Sequence, residues 1–255
     1  VETMPYDKEP VFFNNVMSDR SNWTDATSMH GITVVGSYST SSYGMFPIAY
    51  GTGTTWHGPS VIRTLNEALT DFTLSTYIGL ANTSLSQMSK LEWHLLSADN
   101  EIQARILFGD FWAGYNRSIA EFYIGNPANE KKTQLLDDRW TKDFKGVVQI
   151  KKEGNRIELY VARTTPSPHH QIKKTVFIDT ENRFNKPITK IQLATCQWGT
   201  NPTADPRYIQ ILLRKINPSK NDMVPYIADI GDKITIDKAL NVRKNDQLQL
   251  GLNVF

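Results

Sequence analysis

Apolar and polar residues alternate with a period of two through most of this chain, a pattern that only half-buried β-strands satisfy. In "DFTLSTYIGL", Phe72, Leu74, Thr76 and Ile78 share one face, and Thr73, Ser75 and Tyr77 share the other. "EIQARILF" sets Ile102, Ala104, Ile106 and Phe108 against Gln103 and Arg105, and "SIAEFYIGN" sets Ala120, Phe122 and Ile124 against Glu121 and Tyr123. "GVVQIKKEGNRIELYVAR" reads as a hairpin, two alternating strands around Glu153-Gly154-Asn155, a turn whose residues accept positive φ. "KTVFIDT", "ITKIQLAT" and "RYIQILLRKI" follow, separated by the turn clusters "GNPANE", "RTTPSPHH" and "WGTNPTADP". No stretch carries a capped helical period, and "LLDDRWTKDF" holds at most one helical turn. Many short strands with one apolar and one polar face predict an all-β sandwich of two antiparallel sheets.

At 255 residues the chain is long enough to bury a sizeable core. Its 28 Lys+Arg against 26 Asp+Glu leave a net charge of +2, which is no footprint for nucleic acid, and no basic helix points to a membrane surface. The apolar runs are far shorter than the roughly 20 residues of a membrane span. The single cysteine, Cys196, excludes an internal disulfide, and its strand context "IQLATCQW" marks a buried, inert thiol. There is no initiator Met and no signal-peptide pattern, and the last residues, "LQLGLNVF", stop inside an apolar strand pattern. The first feature is expected of a processed chain or an excised fragment, and the second of a chain cut from something longer. Around Asn217 the alternation breaks at two prolines and a charged linker, so residues 1–217 are read as the sandwich and 218–255 as a linker with a short two-strand extension.

The polar strand faces hold more than Lys and Glu. Thr73, Ser75, Tyr77, Gln103, Arg105, Glu121, Tyr123, Glu158 and Tyr160 bring hydroxyls, amides, a guanidinium and aromatic rings to what is expected to be one sheet face. A saccharide requires such a surface, because a ring covers the C–H face of a pyranose while planar polar groups bond its hydroxyls. In "YGTGTTWHGPSVIR", Trp56 and His57 follow a Gly/Thr run, and Pro59 cannot donate to a central ladder, so the stretch reads as a loop or strand edge. "GDFWAGYNRS" sets Trp112 and Tyr115 beside glycines, and Trp198 adjoins a turn. The candidate carbohydrate-binding residues are therefore Trp56, His57, Tyr77, Arg105, Trp112, Tyr115 and Tyr123. The competing readings are tryptophan lids over the ends of the sandwich and an ordinary solvated face with cross-strand Tyr packing. Trp56 is assigned to the border of a saccharide groove, with His57 as a polar neighbour.

Catalysis and metals find less support. Glycoside hydrolysis needs two carboxylates roughly 5 to 10 Å apart, and neither Glu-x-Asp-x-x-Glu nor Glu-x-Asp-x-Glu occurs. Glu92, Glu101, Glu121 and Glu158 each stand alone on their strands. His94 is read as a structural strand histidine. His169-His170 has no third ligand at a telling spacing, and neither "SADNE" nor "NPTADP" is a dense oxygen-ligand loop. No enzyme activity, cofactor or metal is expected.

"VFFNNVMSDRSNWTDAT" resembles the first strand of concanavalin- and galectin-like jelly-roll modules, and "GVVQIKKEGNRIELYVAR" is similar to the late hairpin of that superfamily. "PYIADIGDKITIDKALNVRKND" resembles the C-terminal part of siphophage distal tail proteins, with its "GDxITID" strand. The combination resembles an evolved distal tail protein of a phage of lactobacilli or related bacteria, carrying an inserted carbohydrate-binding module. That resemblance implies a lectin-like jelly roll over residues 11 to 217 and tail-protein strands over 223 to 246. It further implies non-catalytic binding of host cell-wall polysaccharide, a place in the virion at the tail tip, other tail proteins as partners, and a homo-hexameric hub. The His-Asn-Arg and Trp-Glu sugar signature of galectins is not matched, so the fold carries over and no family site does. A glycan-degrading enzyme and a purely structural tail module are the alternatives.

Overall fold

The computed structural model describes residues 10–81, 88–110, 118–138, 143–165, 171–199 and 206–216. The first strands among them are β1 (Val11–Val16), β2 (Thr24–Asp25), β3 (Thr33–Val34), β4 (Ser37–Ser41), β5 (Gly44–Ala49) and β6 (Gly53–Gly58). Then come β7 (Ser60–Leu69), β8 (Phe72–Ala81), β9 (Met88–Leu96), β10 (Ile102–Asp110), β11 (Ser118–Ile124) and β12 (Lys131–Asp138). The last are β13 (Asp143–Glu153), β14 (Arg156–Thr165), β15 (Gln171–Ile178), β16 (Ile188–Gly199) and β17 (Arg207–Lys215).

They form the expected two-sheet sandwich. Sheet A runs β15-β14-β13-β8-β17-β5-β4, with β1 beside β17. Sheet B runs β12-β11-β10-β9-β16-β6-β3, with β7 also on β16 and β2 on β7. The pairing is antiparallel except where the two-residue β3 runs parallel to β6. The compact unit Phe13–Leu213 holds the sandwich. A second unit is built from the chain ends. Within its described residues, the Lys215 amide donates to the Pro10 carbonyl at 2.9 Å.

The alternation becomes the core. Phe72, Leu74, Ile78 and Leu80 of β8 and Leu91, Trp93 and Leu95 of β9 are all almost fully buried. Two ring pairs join the sheets: Phe108 to Phe144 at 4.2 Å between centroids, and Trp93 edge-on to Tyr208 at 6.0 Å. The Tyr208 hydroxyl donates toward the carbonyls of Glu92 (3.1 Å) and Ala194 (2.9 Å), which sit opposite each other on β9 and β16. Burial pushes the Tyr208 phenol well above its ordinary range, so it remains a donor. The Tyr38 hydroxyl donates to Thr195 Oγ1 at 2.9 Å, a second polar bond across the sandwich.

The hairpin over 146–163 is as predicted. Glu153 pairs with Arg156, leaving Gly154 and Asn155 as a two-residue turn, and Gly154 sits at φ 59°. Three expectations change. Leu135–Asp138 belong to strand β12 and not to a helical turn, while residues 139–142 lie outside the described residues. The stretch from Gly53 to Arg63 is two strands, β6 and β7, broken at Pro59, which has no N–H to give the ladder but whose carbonyl accepts from the Thr195 amide at 3.2 Å. The nine polar residues expected on one face fall on two sheets: Thr73, Ser75, Tyr77, Glu158 and Tyr160 on sheet A, Gln103, Arg105, Glu121 and Tyr123 on sheet B. Period two fixes which side of a strand a residue takes, not which sheet the strand joins. The extension expected over 218–255 lies outside the described residues.

Replacing Tyr208 by Phe is expected to cost about 1 to 2 kcal/mol, because two buried carbonyls lose a donor while packing is kept. Urea unfolding of both proteins measures it, and equal stabilities would dismiss the cross-sandwich bond.

Candidate carbohydrate-binding face

The outward side of sheet B carries a chemically dense surface. Cross-strand register sets Ile62, Gln192, His94, Arg105, Tyr123 and Lys132 in one transverse row over six strands. The next row holds Ser60, Ala194, Glu92, Leu107, Glu121 and Gln134. "SKLEWHLL" explains how β9 supplies this face, since Leu91, Trp93 and Leu95 turn inward and Lys90, Glu92 and His94 must turn outward.

These groups bond one another. Lys90 Nζ lies 2.5 Å from Glu92 Oε2, and His94 Nε2 lies 2.7 Å from Glu92 Oε1, all three side chains being buried. Burial alone would raise the Glu92 carboxyl, but the Lys90 ammonium and the His94 ring outweigh it and hold it at about 2, below the ordinary 4.5. Burial lowers His94, leaving a neutral ring whose Nε2–H donates to the carboxylate. Arg105 makes a two-pronged bond to Glu130 at 3.1 and 2.6 Å, and its guanidinium lies 4.3 Å from the centroid of the Tyr123 ring. The Tyr123 hydroxyl donates to Glu121 Oε1 at 2.7 Å, and Lys132 Nζ reaches Glu121 Oε2 at 3.0 Å. Burial and that carboxylate both raise the Tyr123 phenol, so it stays protonated.

At one end of the face, Trp56 meets Trp198 edge-on at 5.7 Å, and Lys90 Nζ lies 4.4 Å from the Trp56 centroid. Trp56 is half-buried against a small apolar cluster of Met29, Ile32, Ala194 and Cys196, whereas Trp198 is 38% exposed. Cys196 is fully buried as expected, and burial raises its thiol. At the other end, a cavity of about 630 Å³ opens between the row and the segment Asp25–His30, with Gln192 and His94 in its lining. A β-bulge between Ile102 and Ala104 sets Ile102 opposite Leu96, and both line this cavity. The alternation had placed Ile102 with Ala104, because one extra residue in a strand leaves no mark on the period.

Of the seven candidate residues, sheet B brings Trp56, Arg105 and Tyr123 onto one face. Tyr77 lies on sheet A. His57, next in strand to Trp56, points the other way and is 1% exposed, with Nδ1 2.7 Å from the Thr55 carbonyl. It is therefore no surface neighbour of Trp56. Trp112 and Tyr115 lie outside the described residues. Lys90, Glu92, His94, Gln192, Glu130 and Lys132 were not among the candidates. The alternation of "SKLEWHLL" was a signal for the first three, but joining them to Arg105 and Glu121 required the strand order. Glu92 and Glu121 both sit opposite Leu107, from the two flanking strands, with backbones about 10 Å apart. In "SADNE", Asp99 and Glu101 share Lys186 at 2.6 Å each.

The described fold resembles known structures at low identity. The CBM2 module of the evolved Dit of Lactobacillus casei BL23 phage J-1 matches 82% of this chain and 98% of its own, at 12% identity and TM-score 0.67. The lectin UEA-II, in a complex with galactose, matches 80% and 98%, at 9% identity and TM-score 0.56. The Bacillus licheniformis β-glucanase matches 82% and 100%, at 12% identity and TM-score 0.51. The chain has the lectin-type jelly-roll fold. No family model and no curated protein matches the sequence.

Stability is expected to depend on Glu92. Its carboxyl is lowered on folding, so its contribution is complete above the ordinary value of 4.5 and is lost as pH falls toward about 2. Glu92→Gln leaves Lys90 buried without its counter-charge and is expected to cost about 3 to 5 kcal/mol at neutral pH. The variant should also lose less further stability on acidification than the parent. Unfolding at a series of pH values tests this, and parallel acid limbs would refute it.

Proposed function

We propose that the chain is a non-catalytic carbohydrate-binding module of a phage tail-tip protein that attaches the virion to host cell-wall polysaccharide. The observation that carries this reading is the face of sheet B, where aromatic rings and planar charged groups lie in register and are already held by one another. Such prior fixing lowers the ordering cost of binding a flexible glycan. The similar folds of a phage Dit module and of a galactose-bound lectin support the same reading. Other tail proteins are the expected neighbours. A homo-hexameric hub would add avidity to weak single sites.

The placement of Glu92 and Glu121 on either side of Leu107 favours a second reading, a glycan-degrading enzyme, since glycoside hydrolysis uses two carboxylates on one surface. Against it, Glu92 is buried and ion-paired, and Glu121 is bonded to Tyr123 and Lys132. Glu92, held ionised by Lys90 and His94, does not offer the proton of a general acid. Release of reducing ends from purified cell walls would establish the enzyme.

A fluorescent fusion is expected to label intact host cells, with competition by purified wall polysaccharide. Failure to label would leave a purely structural tail module. Trp198→Ala should keep the melting temperature and weaken each site several-fold, since an aromatic contact contributes about 1 kcal/mol. Trp56→Ala should lower the melting temperature as well, because that ring also packs on Met29 and Ile32. Retained labelling by Trp198→Ala would remove that end of the face from the site. The boundary near 217 is tested by truncation: a chain ending at Asn217 should melt cooperatively and still label cells.

A further inference from the structure

We infer that the cavity beside Gln192 and His94 is a subsite for an uncharged saccharide unit, a terminal or branch residue, whose glycan continues along the Arg105–Tyr123 row. This rests on the carbohydrate-binding reading and gives the face its specificity pocket. At about 630 Å³ the cavity lies within the roughly 300 to 1,000 Å³ of small-molecule sites, with room for about two pyranose rings.

Its lining is divided in the way a sugar is divided. Ile62, Leu96 and Ile102 supply aliphatic surface for a C–H face. Thr27, Ser28, His30 and Asn100 supply polar side chains, none of which makes a side-chain hydrogen bond among the described residues. Two further groups are held in place. Gln192 Nε2 donates to the Ser28 carbonyl at 2.7 Å and to Ser60 Oγ at 3.1 Å, which fixes its amide plane. His94 is fixed through Nε2 on Glu92, which leaves its Nδ1 as an acceptor. A hydroxyl-rich ring thus meets donors and acceptors that need no partner broken first.

The charge balance selects against acidic ligands. Among the described residues no Lys or Arg lines the cavity, and the one carboxylate there, Asp25, is bonded to Arg20 at 2.7 Å. A uronate or phosphate would enter without a counter-charge. Continuity with the rest of the face follows from register, since His94 lies opposite Arg105 and Arg105 opposite Tyr123.

The test is a titration of the full chain, followed through its backbone amide spectrum. The probes are galactose, glucose, N-acetylglucosamine and lactose, with glucuronate and inorganic phosphate as charged controls. A neutral sugar is expected to shift amides of residues 25–30, 94, 100 and 192. His30→Ala and Asn100→Gly are expected to weaken it about threefold to tenfold each at an unchanged melting temperature. Asn100 sits at φ 68°, so glycine keeps its backbone while removing the amide. Shifts confined to Trp56, Trp198 and Tyr123, indifference to both cavity variants, or preference for glucuronate or phosphate would each overturn the inference. If no probe shifts any amide while the chain still labels cells, the subsite fails and the proposed function stands. If the chain also fails to label cells, both fail.

Discussion

Strand β9 is buried on both of its faces, and the rest of sheet B is organised around that burden. Inward, Leu91, Trp93 and Leu95 complete the apolar core; outward, Lys90, Glu92 and His94 are each at most 5% exposed. An ion removed from water must find its counter-charge and hydrogen bonds close by, or its desolvation is uncompensated. Lys90 and His94 flank Glu92 along one strand at the i±2 spacing that a pleated strand gives to neighbours on one face. The result is a floor of fixed charges on which Trp56 and Arg105 rest. Side chains held in this way present one geometry to a ligand and not an ensemble of them.

Much of this was legible in the residues. Period two marks β8, β10, β11, β13 to β17 and the Gly154-Asn155 turn, because those features depend on neighbours in sequence; it misses β6, β7 and β12 and sets Ile102 on the wrong side of its bulge. The sheet partition was not legible: Tyr77 and Tyr123 have equivalent local patterns, yet β8 joins one sheet and β11 the other. Long-range pairing decides that, and a single strand carries no trace of it. His57 shows the complementary lapse. Polar and adjacent to a tryptophan, it reads as a surface residue, although the alternation that turns Trp56 outward obliges His57 to turn in.

The carboxylates teach a related lesson. Glu92 and Glu121 each stand alone on their own strands, and the fold sets them in one row on either side of Leu107. Each is already engaged, Glu92 by Lys90 and His94 and Glu121 by Lys132 and Tyr123. Chemistry on a sheet is specified by rows across strands, and rows become visible only once strand order is known.

The apolar cover over Cys196 has a use beyond stability. Met29 and Ile32 close over the one thiol in the chain, and Met29 also lines the cavity, so a single segment shields the cysteine and borders the pocket. Alkylation of that sulfur can proceed only when the cover lifts, so its rate counts openings of residues 25–32 without any introduced label. A ligand that bridges this segment to Gln192 would slow the count. The buried thiol is thus a built-in clock for how often the rim of the pocket breathes.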